Sequence, residues 1–432
     1  MKRNLKTQNS SGPQMYFLMK ELFPICRSIT GDGVRESMRI LRKHIPLTVH
    51  EVPSSTKVLD WVVPDEWNIK DAYIKNSRGE RVVDFKKNNL HVLNYSTAIR
   101  AKMSLKELKP HLFTLPDHPK WIPYLTSYYK KNWGFCLSQD QLDRLPEDHY
   151  EVLIDSEHKK GSLTYGELLI KGKSKEEVLF TCYTCHPSLC NDNLSGVVVA
   201  ASLAKSLLKK KLNVSYRFLF IPETIGAITW LSRNEKGLDR VKAGLVLTCV
   251  GDRGSITYKK SRRGESRVDK VVQRVLEQRQ KPFKVREFFP MGSDERQFCS
   301  PGFDLPVGSL IRSVYGEFPE YHTSADDLNF ISEDSLAETL EICQDIVAQF
   351  EKEEYFVNLS PKGEPQLGRR GLYGNIGGQK KAKIDQTAIL WVLNLSDGQN
   401  SLLDIATRSG LDIQAIRYAA KMLVKHGLLG RT

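Results

Sequence analysis

His186 and Asp192 stand six positions apart in the run Thr-Cys-His-Pro-Ser-Leu-Cys-Asn-Asp-Asn-Leu-Ser-Gly, which begins at Thr184. An imidazole nitrogen and a carboxylate oxygen are ligands that suit zinc or another divalent transition metal. The same two residue types also occur in ordinary polar loops that bind nothing. This run alone therefore leaves two interpretations open, a metal site and a loop without a ligand.

The flanking residues predict the elements that position this run. Residues 178–184 are β-branched, aromatic and apolar, which predicts a buried strand, and residues 195–208 have the spacing of an amphipathic helix. His186 and Asp192 would then emerge together at the carboxyl end of a strand. Open α/β sheets place their sites at that edge.

Further polar side chains follow predicted strands in the same way. Glu223, Asp252 and His322 each come shortly after an apolar run. These runs cover residues 216–220, 245–250 and 307–311. Because the carboxyl ends of parallel strands converge, we expect side chains from these distant parts of the chain to meet near His186 and Asp192.

The order of these residues carries a family resemblance. The short pattern reads His186, Asp192-Asn193-x-Ser195-Gly196, Glu223 and His322-Thr323-x-x-Asp326. It resembles the signature of co-catalytic zinc aminopeptidases, whose relatives include transferrin-receptor-like and glutaminyl-cyclase-like proteins.

Longer runs narrow the resemblance. They are Cys-His-Pro-Ser-x-Cys-Asn-Asp-Asn-Leu-Ser-Gly, Gly-Ser-Asp-Glu-Arg-Gln-Phe from Gly292, and Phe-Pro-Glu-Tyr-His-Thr-Ser-Ala-Asp-Asp from Phe318. Over nearly the whole chain they resemble a bacterial family of aminopeptidase-like proteins associated with polysaccharide biosynthesis. Its members are built with a protease-associated-like insert and a C-terminal winged helix.

The resemblance implies a role for each residue of the pattern. His186 would be a terminal ligand of one metal, Asp192 the bridging carboxylate, and His322 a ligand of the second metal. Glu223 would be the general base that takes a proton from a metal-activated water, since a bound zinc ion lowers the pKa of water to roughly 7. The implied cofactor is zinc, as one or two divalent metal ions.

Two departures from the aminopeptidase pattern bear on the second metal. Thr224 stands where those enzymes carry an acidic ligand directly after the base. Asp252 could supply the remaining acidic ligand with a small shift, because Thr248 or Cys249 occupies that position in a strict alignment. A site with one metal, and a site in which Glu223 is itself a ligand, both stay open.

Substrate contacts are predicted in the motif-rich loops. Asp294 and Glu295 could recognise the free amine that an aminopeptidase binds, and Tyr321 precedes the ligand His322. For the two acids, a solvated surface position is an equally open interpretation.

These observations favour a metal-dependent aminopeptidase-like hydrolase that cleaves an amide or peptide bond. The alternatives are a non-catalytic binding or scaffold protein that retains the peptidase fold, and a single-metal acyltransferase resembling glutaminyl cyclases. We expect a small peptide or another amide-containing substrate, with a glycan precursor as an option. Nucleic acid is the less favoured partner, no membrane partner is expected, and a homo-oligomer stays open.

Composition is consistent with this prediction. The chain has 432 residues, 27% of them charged, and a net charge of +13. Its basic clusters are not interleaved with aromatic residues, so a solvated surface or attraction to an acidic substrate is favoured over single-strand nucleic-acid binding. The first residues lack a signal-peptide core, and no run approaches the roughly 20 apolar residues of a membrane span. We expect a cytoplasmic protein without a disulfide framework. Its eight cysteines are scattered, and packing is favoured over zinc binding for Cys182 and Cys185, while Cys190 stays open.

The predicted fold class is α/β, a zinc-aminopeptidase-like mixed β-sheet flanked by helices, with a small β insert and a C-terminal winged-helix-like domain. Residues 1–60 and 114–360 would form the aminopeptidase-like domain, and 61–113 the protease-associated-like insert. The Gly-, Pro- and Lys-rich residues 361–383 would be a linker, and 384–432 the winged-helix-like domain.

Two finer expectations concern strands and helices. Residues 150–155 and 166–171 flank a turn and predict an antiparallel pair at the start of the mixed sheet. Residues 387–395, 401–408 and 412–426 have helical spacing, with Asp412 as N-cap of the last helix. We expect the wing that usually follows these helices to be truncated or missing.

Overall fold

The computed structural model describes residues 11–372 and 386–431. They divide into two compact units. The first extends to Lys211 and resumes at Ser215–Gln344, and the second comprises Leu212–Val214 and the chain from Asp345 onward. Among the described helices, no segment has the length and apolar character that crossing a membrane requires.

Strands in the described residues are β1 (Thr48–Pro53), β2 (Lys57–Val58), β3 (Trp61–Val62), β4 (Glu66–Lys75), β5 (Arg81–Asp84), β6 (Ile99–Ser104), β7 (Leu112–Phe113), β8 (Phe135–Cys136), β9 (His149–Lys159), β10 (Ser162–Ile170), β11 (Glu177–Tyr183), β12 (Ser215–Ile221), β13 (Val241–Leu247), β14 (Ile256–Lys259), β15 (Phe283–Arg286), β16 (Val307–Ile311), β17 (Tyr355–Asn358), β18 (Asp397–Ser401) and β19 (Leu429–Arg431).

The helices are α1 (Ser11–Leu22), α2 (Asp32–Leu41), α3 (Leu105–Leu108), α4 (Gln139–Asp143), α5 (Gly196–Leu207), α6 (Ile225–Asn234), α7 (Arg267–Gln278), α8 (Glu295–Phe298), α9 (Glu333–Lys352), α10 (Gln386–Leu395), α11 (Leu402–Ser409) and α12 (Ile413–Lys425).

The first unit is built on an eight-stranded sheet in the order β1-β10-β12-β11-β13-β16-β14-β15. Its centre is parallel, because β11 runs parallel to β12 and β13, and β13 runs parallel to β16. Antiparallel strands lie on both sides of this centre. The predicted mixed sheet flanked by helices is confirmed.

Strand β11 lies at the middle of the sheet, and all 7 of its residues are buried. A continuous apolar run is what a parallel strand covered on both faces requires. Helix α5 follows the site run and packs against this region. A Cβ on Gly196 would lie 2.2 Å from the carbonyl oxygen of Leu247. Glycine therefore allows the start of α5 to approach the end of β13, which holds the turn containing Asp192 at the edge of the sheet.

A smaller four-stranded sheet has the order β5-β4-β9-β6. Three of its strands fall within the predicted insert at 61–113, and β9 lies beyond that range. The expected antiparallel pairing of 150–155 with 166–171 is wrong, because β9 joins the small sheet and β10 the large one. The two strands pack into different cores, with Tyr150 in the small sheet's core and Tyr165 in the large one's.

The second unit contains α10, α11 and α12 near the predicted positions and a three-stranded sheet in the order β18-β17-β19. The side chain of Asp412 accepts hydrogen bonds from the backbone of Gln414 and Ala415, as an N-cap does. The expectation of a truncated or missing wing is wrong, because the second unit contains this three-stranded sheet. Its central strand, β17, comes from a segment that precedes the predicted linker and lies outside the range predicted for the winged-helix-like domain. Residues 373–383 of that linker lie outside the described residues.

Candidate metal centre

Three potential metal ligands converge in the first unit. One donor atom from each of His186, Asp192 and His322 lies within 4.8 Å of the other two. Asp192 Oδ2 is 2.9 Å from His322 Nε2 and 3.8 Å from His186 Nε2. Both imidazole Nε2 atoms therefore face the same carboxylate oxygen, although His322 is more than a hundred residues away in the chain.

Each ligand is carried by a loop at the carboxyl edge of the parallel strands. His186 follows the end of β11, and Asp192 lies in an irregular turn, Cys190–Ser195, that leads into α5. The peptide bond between Asp192 and Asn193 is cis. His322 lies in the loop after β16 and has a φ of 55°. These three side chains meet at the edge of the sheet where the order of the strands predicted that they would.

Asp326 fixes the turn that carries Asp192. Its two carboxylate oxygens accept hydrogen bonds from the backbone N–H groups of Asn191 (2.6 Å) and Asp192 (2.9 Å). Its own carbonyl oxygen accepts one from the N–H of Cys190 (3.0 Å). Asp326 is fully buried. The segment that carries His322 thus also holds Asp192 in place.

We expect Asp326→Asn to lower the free energy of unfolding by about 1–3 kcal/mol, because one acceptor oxygen becomes an NH₂ group that faces a backbone donor. Urea unfolding followed by circular dichroism measures this. Asp327→Asn is the matched control, since Asp327 accepts from the backbone of Asn329 and Phe330 through Oδ1, which asparagine also provides, and its Oδ2 accepts from the exposed side chain of Asn329. Equal stabilities of the two variants would contradict the bracing role of Asp326.

Two atoms of the site are buried without a hydrogen-bond partner. Asp192 Oδ1 accepts a hydrogen bond from the hydroxyl of Tyr183, which is also 2.7 Å from Thr248 Oγ1. Asp192 Oδ2 and His322 Nε2, in contrast, lie 2.9 Å apart but form no well-aligned hydrogen bond with each other or with another group in the part of the chain that the structure describes. Burying such groups unsatisfied is unfavourable. A cation between them would satisfy both, so this donor set fits a divalent metal of the zinc type.

The surroundings of two of the ligands favour the protonation states that bind a metal. Burial lowers the pKa of His186 to about 4, so its imidazole is neutral near pH 7. Burial acts to raise the pKa of Asp192, but His186 and His322 outweigh it and hold the pKa at about 2. A neutral imidazole and an ionised carboxylate are the states in which these side chains act as ligands.

Glu223 lies beside the three ligands. It follows β12, and its Oε2 is 3.8 Å from His186 Nε2. Burial raises the pKa of this carboxyl group, and the negative charges of Asp294 and Asp192 raise it further. Its side chain keeps about a quarter of its surface exposed, at 26%. A carboxyl group with a raised pKa next to a ligand cluster is the type of group that carries protons.

Thr224 is hydrogen-bonded to residues outside the ligand group. Its N–H donates to Asp294 Oδ1 at 2.7 Å, and its hydroxyl accepts a hydrogen bond from Arg296 at 3.2 Å. Asp294 is buried, and burial raises its pKa. Asp294 Oδ2 has no hydrogen-bond partner among the described residues. This carboxylate therefore binds the backbone at Thr224, and its negative charge acts on Glu223.

Asp252 does not belong to the ligand group. Its carboxylate accepts hydrogen bonds from Asn191 Nδ2 (2.8 Å), Ser313 Oγ (2.7 Å) and the N–H of Gly254 (2.6 Å). Asn191 precedes the ligand Asp192 in the chain. Asp252 therefore braces the turn that carries Asp192, as Asp326 also does.

The other two predicted substrate residues differ in their surroundings. Glu295 is fully buried, where it forms an ion pair with Lys259 (2.6 Å) and accepts a hydrogen bond from Ser309 (2.9 Å). Tyr321 lies at the site, because its ring stacks on the imidazole of His322 with the centroids 4.0 Å apart.

Sequence reasoning missed two tyrosines of the site. The ring of Tyr124 lies 5.1 Å from each of the two imidazoles, and Tyr183 bonds Asp192. Tyr183 is part of an apolar strand run, where a buried aromatic residue gives no sign of function. Tyr124 belongs to a loop that the strand-end argument does not reach. Its N–H donates to the carbonyl oxygen of His322 at 2.8 Å.

Comparisons with known proteins agree with this architecture. The family described as domain of unknown function (DUF4910) matches residues 16–353, and a winged helix-turn-helix family matches residues 354–431. A protein of Clostridium acetobutylicum is 57% identical over 428 residues, 99% of this chain and 98% of that protein. Its provisional description is polysaccharide biosynthesis protein with aminopeptidase-like domain.

Solved structures give the same result. A crystal structure from Clostridium acetobutylicum, provisionally described as a peptidase, is 55% identical and covers 98% of this chain and 97% of that one, with a TM-score of 0.82. The zinc aminopeptidase BSAP from Bacillus subtilis covers 82% of this chain and 97% of its own, at 14% identity and a TM-score of 0.59. At that identity the likeness shows the fold, and the predicted aminopeptidase-like fold with a C-terminal winged helix is confirmed.

Proposed function

Since this chain belongs to the DUF4910 family and has an aminopeptidase-like fold, we propose that it is a metal-dependent hydrolase of amide or peptide bonds. The observation that supports the proposal most is the ligand group itself. Three donor atoms lie within 4.8 Å of one another, and two of them are buried without a hydrogen-bond partner in the described residues. A protein that used the fold only as a scaffold would have no need for this arrangement.

In this proposal His186, Asp192 and His322 hold one divalent cation, with zinc favoured by the nitrogen and oxygen donors. When bound, such an ion supplies Lewis-acid polarisation of a carbonyl group and makes water more acidic. A single ion is proposed because Thr224 bonds Asp294 and Arg296, and Asp252 bonds its own neighbours. Neither residue offers a free oxygen to a second ion in this arrangement.

Glu223 moves the proton. Its carboxylate lies next to the ligand group without being part of it, and its side chain is partly exposed. We assign it the removal of a proton from the attacking water and delivery of that proton to the leaving nitrogen. Burial and the neighbouring carboxylates raise the pKa of Glu223, and a raised pKa favours delivery of the proton to the leaving nitrogen.

The proposed substrate is a small peptide or another compound with an amide bond. The description of the Clostridium acetobutylicum relative, which names polysaccharide biosynthesis, supports a glycan precursor that carries such a bond. A single-metal acyltransferase would use the same three ligands and would transfer the acyl group to an amine instead of water.

Hydrolysis measured against metal content tests the proposal. The full chain is assayed on a panel of aminoacyl p-nitroanilides and N-acyl amino sugars as isolated, after chelation and dialysis, and after one equivalent of zinc is returned. We expect release of amine that is lost with the metal and restored by it. A zinc-loaded protein that hydrolyses nothing would support the scaffold alternative, and acyl transfer to an added amine without hydrolysis would support the acyltransferase.

A further inference from the structure

The thiol of Cys185 lies between the ligand His186 and the base Glu223. Cys185 Sγ is 3.3 Å from His186 Nδ1, and it accepts a hydrogen bond from the N–H of Glu223 at 3.3 Å. The residue is 1% exposed. The sequence predicted only core packing for this cysteine, and its burial agrees with that, but packing alone does not require two polar contacts on one sulfur atom.

Of the two ring nitrogens of His186, Nδ1 is the one that does not face the ligand group. His186 Nε2 is the atom that lies 3.8 Å from both Asp192 Oδ2 and Glu223 Oε2. A histidine that binds a metal through one nitrogen usually donates the N–H of the other to a nearby acceptor, which fixes its tautomer and orientation. Among the described residues, the group in contact with Nδ1 is the thiol of Cys185, whose sulfur accepts a hydrogen bond when Nδ1 carries the proton.

Other contacts fix the backbone and the ring plane of His186 but leave its tautomer undetermined. The Arg27 Nε–H group donates to the carbonyl oxygen of His186 at 3.0 Å. The rings of Tyr124 and Tyr183 each lie 5.1 Å from the imidazole, with interplanar angles of 52°. Neither tyrosine hydroxyl forms a hydrogen bond with Nδ1 in the described structure. The sulfur is thus the group that can determine which nitrogen carries the proton.

We propose that Cys185 is a positioning residue, which keeps the proton of His186 on Nδ1 and ties the backbone of Glu223 to the same sulfur atom. The distance between the ligand and the base is then set through one side chain. The proposal rests on the proposed function, because it assumes a divalent ion on Nε2. It assigns Cys185 no contact with substrate or metal.

The test compares Cys185→Ala and Cys185→Ser with Cys182→Ala. Cys182 is the matched control, because it is fully buried in the same part of the chain and its thiol donates to the carbonyl oxygen of Leu219 rather than to the site. The readouts are the zinc dissociation constant from competition with a chromophoric chelator, the visible absorption of the cobalt-substituted protein, and kcat and KM separately.

We expect Cys185→Ala to weaken zinc binding by about 10-fold, the lower end of the effect known for partners of ligating histidines, and to shift the cobalt absorption. Cys185→Ser should recover most of the affinity, since its hydroxyl can also accept a hydrogen bond. Cys182→Ala should match the wild type. Equal dissociation constants and cobalt spectra in Cys185→Ala and Cys182→Ala would overturn the proposal.

A measurement on the wild type keeps the proposal testable even where Cys185→Ala does not fold. Nitrogen NMR of the zinc-loaded chain with labelled histidine identifies which nitrogen of His186 binds the ion. A protonated Nδ1 with zinc on Nε2 is expected, and zinc on Nδ1 would overturn the role of Cys185. A wild-type chain that binds neither zinc nor cobalt would instead overturn the proposed function, so the two failures are distinct.

Discussion

Glu223→Gln is expected to lower kcat by about 10²- to 10⁴-fold and to leave the zinc content of the protein unchanged. Glutamine has nearly the same shape as glutamate, but its amide cannot take a proton from water or return it to the leaving nitrogen. Glu223 Oε2 lies 3.8 Å from His186 Nε2, beside the ligand group rather than within it. Steady-state rates and zinc per chain by mass spectrometry, both on the purified variant, test this.

Glu235→Gln is the control for that experiment. Glu235 is an exposed glutamate shortly after helix α6, so it shares the same region of the chain without reaching the ligands. An unchanged kcat in Glu223→Gln would contradict its role as the base. Loss of zinc together with activity would make Glu223 a ligand, the arrangement that the sequence left open.

Asp192→Asn is expected to weaken zinc binding by more than roughly 100-fold and to abolish zinc-dependent activity. Roughly 100-fold is the upper end of the effect of mutating a residue that only hydrogen-bonds to a metal ligand, and Asp192 is itself a ligand in this proposal. The variant keeps the oxygen that accepts from Tyr183, but it replaces the charged Oδ2, the atom 2.9 Å from His322 Nε2, with a neutral group. Zinc affinity by chelator competition, with a urea unfolding curve for each variant, separates loss of the ligand from loss of the fold.

Asp252→Asn is the informative comparison, because the sequence made Asp252 a candidate ligand and the structure places it in contact with Asn191, Ser313 and Gly254. We expect this variant to lose no more than about 10-fold in zinc affinity, through the turn that Asn191 shares with Asp192. An effect as large as that of Asp192→Asn would restore Asp252 to the ligand set.

The sequence was informative about the site wherever a polar residue follows a strand. His186, Glu223 and His322 each come after an apolar run, and the parallel order of β12, β11, β13 and β16 places those strand ends at one edge. Convergence of strand ends is a property of the sheet, so the side chains could be placed together before their distances were known.

The contacts around the ligands could not be predicted in this way. Tyr183 and Cys185 belong to a buried apolar segment, and periodicity identifies such residues as core without showing which polar atom they meet. The same limit explains β9 and β10. Their strand-like runs predicted two strands correctly. The partner of each strand depends on which core its apolar face fills, and residue spacing carries no information on that choice.

Asp252 shows a further limit. Its place shortly after a strand made it a candidate ligand, yet its oxygens are used by Asn191, Ser313 and Gly254. A strand-end acid that binds a metal and one that braces the neighbouring turn have the same sequence signal. Only the three-dimensional partners distinguish the two, and here they assign Asp252 and Asp326 to the turn.

Diffraction from crystals of the full chain grown with zinc, recorded on both sides of the zinc absorption edge, tests the central claim most directly. The account predicts one anomalous peak at about 2.0–2.2 Å from His186 Nε2, Asp192 Oδ2 and His322 Nε2. A second peak near Thr224 or Asp252 would contradict the single-ion site. A zinc ion bound elsewhere, with these three side chains empty, would contradict the account as a whole.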